Sequence, residues 1–284
     1  MNGATFYLGA KPHLLQHTDK PLFVSDSTLR EQKKLKPAKG RYSVDSGGFS
    51  ELQENGHWTR SPRQYADDLV RYAESIGPYD WAAQQDWMCE EAIIHGGIFN
   101  RQRFVGTGLS VVEHQRRTVG NFLDLMSIND KLKIIPVVQG DRPAAYEQCI
   151  NLYDQAGIRL TDYPVVGIGS VCRIQATRKA VDIVQHVSSI LGTNRLHGFG
   201  FKTEGLRLVG HLLGSADSHA WSLNGRHKPG CDFRLSRDKP HKNEANCLRY
   251  ALAWRDRVLD ALADSRPAPF VPEQLAFDYF APAA

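Results

Sequence analysis

Three aspartates, a glutamine and a histidine stand at or near the ends of short apolar runs. Asp45 ends one such run in Asp45-Ser46-Gly47-Gly48-Phe49, Asp86 follows Gln84-Gln85, Gln139 precedes Gly140, and Asp217 sits in Ala216-Asp217-Ser218-His219-Ala220-Trp221. Two further runs carry Gly167-Ile168-Gly169-Ser170 and His197-Gly198-Phe199-Gly200. Carboxylates brought to one place can divide into a nucleophile and a general acid/base, the pair used in glycosyl transfer through an oxocarbenium-like transition state. Taken alone, each acid reads as a helix cap or a loop carboxylate. Together, each at the same end of a different strand, they predict a site.

Eight β-rich runs position them: residues 5–8, 22–25, 42–46, 81–86, 133–140, 164–170, 196–201 and 216–221. Amphipathic segments fall between, at 61–75, 111–126, 143–156, 176–191 and 204–213. The segment from Ser61 opens with Ser-Pro and then places Tyr65, Leu69, Val70 and Tyr72 at helical spacing, a helix-start signature followed by one apolar face. Strand and helix in alternation imply parallel pairing with right-handed crossovers, so the pattern predicts an α/β (β/α)8 TIM barrel. An open doubly wound sheet is the alternative. The barrel is expected over residues 1–225. Residues 226–284 are expected to add a basic loop, a last helix near 245–263 and a Pro-rich tail, packed on the barrel as a C-terminal extension. In such a barrel the C-terminal ends of the strands form the functional mouth.

Composition narrows the class. The 284 residues are 42% hydrophobic and 23% charged, which excludes collagen-like, coiled-coil and mostly disordered chains. No apolar stretch approaches the roughly 18 residues that span a bilayer, and the N-terminus lacks a basic n-region followed by an apolar h-region, so a cytoplasmic protein is expected. The five cysteines form no CxxC pair, which argues for reduced thiols. The net charge of +4 is uneven. Residues 31–41 carry five basic residues and one acidic, and residues 226–242 carry six basic and two acidic, so the positive charge is local and suits a polyanion.

These motifs, in this order over about residues 40–225, resemble those of the tRNA-guanine transglycosylase superfamily. The Asp-Ser-His-Ala-Trp-Ser form of the last one is most similar to the DNA-modifying branch, the 7-deazaguanine DNA transglycosylases (DpdA). The resemblance implies a (β/α)8 barrel and an enzyme that replaces guanine in DNA with a free 7-deazaguanine base such as preQ0. Asp217 is then the nucleophile at C1′ and Asp45 the general acid/base that takes the N9 proton of the incoming base. The two acids should lie close enough for one charge to raise the pKa of the other.

Guanine offers N1–H and N2–H2 as donors and O6 as an acceptor. A carboxylate can accept from both donors, the role expected of Asp86, while Gln139 and the backbone of Gly167 and Gly169 are expected to donate to O6. Phe49 and His197 are expected to cover the faces of the base, and Ser46 to touch it from the same turn as Asp45. A polymer substrate must extrude the target nucleotide, so Arg226, Lys228, Arg234 and Arg237, directly after the last strand, are expected to hold the backbone.

The chemistry requires no cofactor. tRNA-modifying relatives hold a structural zinc through a Cys-x-Cys-x-x-Cys cluster and a histidine. Here only the last cysteine of that motif, Cys247, is kept; Cys231, His241, Glu244 and Cys247 could still supply the four ligands of a structural zinc, at a spacing unlike the usual one. The alternatives are a tRNA transglycosylase, a non-catalytic nucleic-acid-binding subunit of such an enzyme, and a glycosidase using the same acid pair. Helper proteins and a homodimer are compatible with the sequence, and no membrane partner is expected.

Overall fold

A computed structural model describes residues 3–99, 101–231 and 241–266 of the chain. In chain order the first strands are β1 (Thr5–Ala10) and β2 (Leu22–Ser25), followed by a single turn, α1 (Asp26–Leu29). Next come β3 (Tyr42–Asp45), α2 (Gly48–Asn55), α3 (Pro62–Ile76), β4 (Ala82–Ala83) and α4 (Glu91–His95). An antiparallel hairpin of β5 (Gly97–Phe99) and β6 (Gln102–Phe104) precedes α5 (Val111–Ile128). The second half runs through β7 (Ile134–Ile135), β8 (Val137–Val138), α6 (Pro143–Gln155), β9 (Val166–Ile168), α7 (Arg178–Leu191), β10 (Leu196–Gly198) and α8 (Thr203–Val209). It closes with β11 (Leu213–Ser218), α9 (Ala220–Gly225) and α10 (Leu248–Ala263).

Every pairing in the main sheet is parallel, and the spatial order is β7-β4-β3-β2-β1-β11-β10-β9-β8. The two ends of this order, β7 and β8, are separated in sequence by Pro136 alone. They are halves of one strand, so the sheet is a barrel of eight strand positions in sequential order, as the alternation predicts. Proline has no N–H to give the ladder, which explains the interruption, while its carbonyl still accepts from Gly167 N–H at 2.8 Å.

Side chains along the strands alternate between two buried apolar layers, as a filled barrel requires. Tyr7, Phe23, Trp81 and Ile135 turn inward and make one apolar layer with Val165 and Phe199. Phe6, Leu8, Val24 and Val44 turn outward into the main core under the helices. The helices begin where side-chain oxygens cap them. Ser61 and Gln64 form a capping box on α3, Ser110 accepts from Glu113 N–H at the start of α5, and Thr177 accepts from Ala180 N–H at the start of α7. α10 buries Ala251, Trp254, Val258 and Leu262, and Trp254 meets Phe6 of β1 with ring centroids 6.0 Å apart. A smaller apolar cluster of Leu52, Trp87, Ile93 and Phe104, flanked by Phe49, Trp58, Met88 and Phe99, ties α2, α4 and the hairpin together above the barrel. Among the described residues no helix is long and apolar enough to cross a membrane.

Several boundaries differ from those the sequence predicts. The run at 81–86 keeps only Ala82–Ala83 in the ladder, because the chain beyond it bonds to α5 instead: Gln84 donates to Thr118 O at 3.0 Å and Trp87 N–H to Thr118 Oγ1 at 2.9 Å. The last strand begins at Leu213 rather than Ala216, pairing Leu196 with Leu213, and ends at Ser218, so Trp221 falls in α9 and donates its indole N–H to Gly9 O at 2.8 Å. The sequence patterns give no sign of α2 or the hairpin.

Candidate active site

The mouth is built from strand ends. Asp217 lies one residue before the end of β11, paired in register with Tyr7 of β1. Its Oδ1 accepts the Gly200 backbone N–H at 3.0 Å and faces His197 Nε2 at 3.3 Å. The other ring nitrogen of His197 meets Ser215 Oγ at 2.9 Å. Since an ionised carboxylate only accepts, Nε2–H is the donor in the contact with Asp217. Gly200 has φ of +67°, and a Cβ there would lie 2.8 Å from Cys172 Cβ, so this backbone donor depends on a residue without a side chain. Among the described residues both supports fall on Oδ1, which leaves Oδ2 for a ligand.

Asp45 ends β3, with Ser25 of β2 as its register partner. Burial pushes its carboxyl up to about 6, the charge of Asp217 pushes the same way, and the Ser25 hydroxyl and Gly47 N–H partly counter them. Asp217 therefore acts on Asp45 across the barrel mouth. Gly47 adopts φ of +79°, which turns the chain sharply into α2 and aims its N–H back at Asp45. Behind this turn Arg30 bridges Asp26 at 3.1 Å and Glu51 at 2.8 Å, fixing α1 against α2. Ser46 is buried within it.

Asp86 and Gln139 form the floor. Gln139 Nε2 donates to Asp86 Oδ2, Ser170 Oγ donates to Gln139 Oε1 at 2.6 Å, and Cys89 N–H donates to Ser170 Oγ at 2.7 Å. Ser170 reaches this place with φ of +57°, unusual for a residue with a Cβ. Gln115 fixes the backbone of Gln139 by donating to its carbonyl at 2.9 Å. Burial lifts Asp86 to about 7; the charge of Asp45 adds to this, and the Gln139 bond works against it. The amide is thus already oriented with nitrogen toward the acid.

Two of the expected assignments need correction. Gly167 N–H donates to Pro136 O at 2.8 Å and Gly169 N–H to Val138 O at 3.1 Å, so both are spent on the ladder with the split strand and neither is free for a purine O6. The glycines serve close packing instead. A Cβ on Gly167 would lie 2.5 Å from the Phe199 ring, and one on Gly169 would lie 2.1 Å from Gln139 Nε2. His197 does not cover a ligand face either. It is fully buried in the barrel interior, with Trp81 at 4.5 Å, Phe199 at 4.7 Å and Phe23 at 5.5 Å between ring centroids, and supports Asp217 from below.

Phe49 is half-buried and carries the Arg173 guanidinium over its ring at 4.7 Å, with Phe104 edge-on at 6.0 Å. Arg173 also bridges buried Glu90 at 2.9 Å, so the loops after β3, β4 and β9 are locked together here. Sequence reasoning missed Ser170, Cys89, Gly200, Ser215 and Arg173, all of which act through a neighbour from another strand. Arg226 and Lys228 are exposed directly after α9, while Arg234 and Arg237 lie outside the described residues. Cys231, His241, Glu244 and Cys247 come together before α10: their ligating atoms all lie within 4.8 Å of one another.

A closed (β/α)8 barrel with three carboxylates at the C-terminal mouth, two of them raised toward neutrality, belongs to the class of barrels equipped for acid/base work on a ligand held at the strand ends. Residues 2–276 match the family DpdA, described as DeoxyPurine in DNA protein A, and the chain belongs to that family, the DpdA branch of the tRNA-guanine transglycosylase superfamily. Among solved structures, active domain 2 of a chitinase from Pyrococcus furiosus, in catalytic-site mutant form, is similar with a TM-score of 0.43 and 11% identity over 92% of this chain and 96% of that one. No curated protein matches the sequence.

Proposed function

We propose that the protein exchanges guanine in DNA for a free 7-deazaguanine base such as preQ0. Family membership supports a DNA 7-deazaguanine transglycosylase role. The observation that carries the mechanism is the pairing of Asp217, held on Oδ1 alone, with Asp45, whose carboxyl the Asp217 charge helps to raise.

In this mechanism Asp217 Oδ2 attacks C1′ as the C1′–N9 bond breaks, and the departing guanine takes its electron pair on N9 together with a proton from Asp45. The product is an ester between Asp217 and the sugar. The incoming base then gives its N9 proton to Asp45, N9 attacks C1′, and the ester electron pair returns to Asp217. A carboxyl near 6 can give and take a proton at neutral pH, as this two-way role requires. Asp86 accepts from the purine N1–H and N2–H2, Gln139 offers its second amide hydrogen to O6, and Phe49 borders the base from the turn after Asp45. Arg226 and Lys228 hold the DNA backbone beside the mouth.

Asp217→Asn removes the nucleophile without altering its size. Labelled base supplied with duplex DNA should be incorporated by the native protein, with guanine released, and incorporation by the variant should fall by about 10³ or more. Offering tRNA in the same assay tests the tRNA reading directly. Incorporation into tRNA alone, or equal incorporation by variant and native protein, would overturn the proposal.

We further propose that Cys231, His241, Glu244 and Cys247 hold a structural zinc. The two sulfurs lie 3.5 Å apart, near the roughly 3.8 Å edge of a tetrahedron with Zn–S of about 2.3 Å. When bound, the ion would tie the loop after α9 to the first turn of α10. Metal analysis should find about one zinc per chain, reduced in Cys247→Ser; a full-length protein that folds without zinc would refute it.

A further inference from the structure

Among the described residues, the three most exposed large apolar side chains are Ile98 at 78%, Leu223 at 58% and Val105 at 50%. All three belong to connections that leave the C-terminal ends of barrel strands, the end that carries the mouth. Ile98 and Val105 belong to the connection after β4, and Leu223 to α9, which follows β11. In a ring of eight strand positions, the fourth and the eighth face each other, so the two apolar points flank the opening from opposite sides.

Each point is embedded in positive charge. On the hairpin, Ile98 is the register partner of Arg103, so the two side chains share one face, and Val105, two residues on, continues it. Arg101 and Arg103 are exposed. Across the mouth, Leu223 is followed by exposed Arg226, His227 and Lys228. The hairpin's other face is anchored. Phe99 and Phe104 pack at 5.6 Å, Phe104 meets Phe49, and Gln53 of α2 accepts Val105 N–H at 3.0 Å while donating to Arg103 O at 3.3 Å. The hairpin is therefore fixed on the helix that starts at the Asp45 turn, with the Ile98 and Arg103 face left exposed.

We propose that the hairpin is a wedge for duplex DNA. Ile98 enters the base stack at the place vacated by the extruded nucleotide, Arg101 and Arg103 grip the flanking phosphates, and the Leu223–Lys228 segment seats the duplex on the opposite rim. An extruded base leaves an unstacked gap, and an apolar side chain with flanking arginines is the chemistry that fills such a gap. This inference rests on the DNA reading above and adds that the substrate is double-stranded.

The test compares one target sequence as a duplex and as a single strand, using the native protein, Ile98→Ala and Ile98→Leu. Truncating so exposed a side chain leaves the fold intact. Ile98→Ala should lower kcat/KM on the duplex about tenfold or more and on the single strand less than about twofold, with Ile98→Leu near the native values. In an Asp217→Asn background, 2-aminopurine beside the target guanine should brighten when the duplex binds, and Ile98→Ala should abolish that rise. Equal losses on both DNA forms, or no loss on the duplex, would overturn the wedge while leaving base exchange standing. A native protein inactive on both DNA forms would sink the DNA reading and the wedge together.

Discussion

The two sides of the mouth treat the same residue type in opposite ways. At the β10–β11 wall, Asp217 receives donors on one oxygen, the Gly200 N–H and His197 Nε2, which fix it and leave the other oxygen open. At the floor under β4 and β8, Asp86 meets its own backbone N–H and the Gln139 amide, yet burial, joined by the Asp45 charge, lifts it to about 7. Asp45 stands between these cases, raised to about 6 despite two donors. Strand position brings the acids together, and their neighbours assign them different tasks. In the proposed reaction Asp217 would be the nucleophile, Asp45 the proton carrier, and Asp86, already bound to an amide, the recognition group.

The contrast between Asp45 and Asp217 breaks most sharply under substitution. Asp45→Asn should lower kcat/KM for base exchange by about 10²–10⁴, the usual worth of a positioned acid/base group. It should also erase the limb of the pH–rate profile near 6, where the native Asp45 changes protonation state. A variant that keeps this limb would assign it to another group and make Asp45 a spectator.

Much of this site was legible in the sequence, because strand-end position and the Asp-Ser-Gly-Gly-Phe turn depend on local residue order alone. Asp45, Asp86, Gln139 and Asp217 all reached the mouth from runs whose polar ends marked them. His197 was misread because its surroundings come from four other chain positions, Tyr7, Phe23, Trp81 and Phe199, and no pattern near residue 197 shows that they enclose it. Gly167 and Gly169 looked like openings for a ligand, yet what a glycine admits is decided by whatever packs on it, here Phe199 and Gln139. The hairpin strands, three residues each, are too short to display a two-residue period. Pro136 did mark a break in the ladder, and reading 133–140 as one run overlooked its missing N–H.

The floor can be tested without substrate. Asp86 moves from an ordinary 3.8 to about 7 in the folded protein, so the fold binds a proton that the unfolded chain releases. A raised acid contributes stability that is complete below its unfolded pKa and is lost as pH rises through its folded one. Urea unfolding should therefore show stability declining from pH 4 to pH 8, and Asp86→Asn, which keeps an oxygen for Gln139, should flatten the decline and be more stable than native at pH 8 by about 2 kcal/mol. Parallel profiles would mean that Asp86 is ionised at little cost, and the distinction between floor and wall would lose its basis.

The smallest expected effect tests whether the wall acts through orientation. His197 touches Asp217 from within the barrel filling, so its role is to position rather than to react. Phe would fit among Trp81, Phe23 and Phe199 but has no N–H, whereas Gln retains a donor at a similar reach. His197→Phe should reduce kcat about tenfold with KM for the free base nearly unchanged, because the lost contact steadies the nucleophile and not the base, and His197→Gln should recover most of that loss. A merely structural histidine predicts a different ordering: Gln, polar within an aromatic cage, would be the more damaging change, and the melting temperature would fall in step with activity. Rates that follow the donor rather than the melting temperature would show that the Nε2–H to Oδ1 contact holds the Asp217 carboxylate in its attacking orientation.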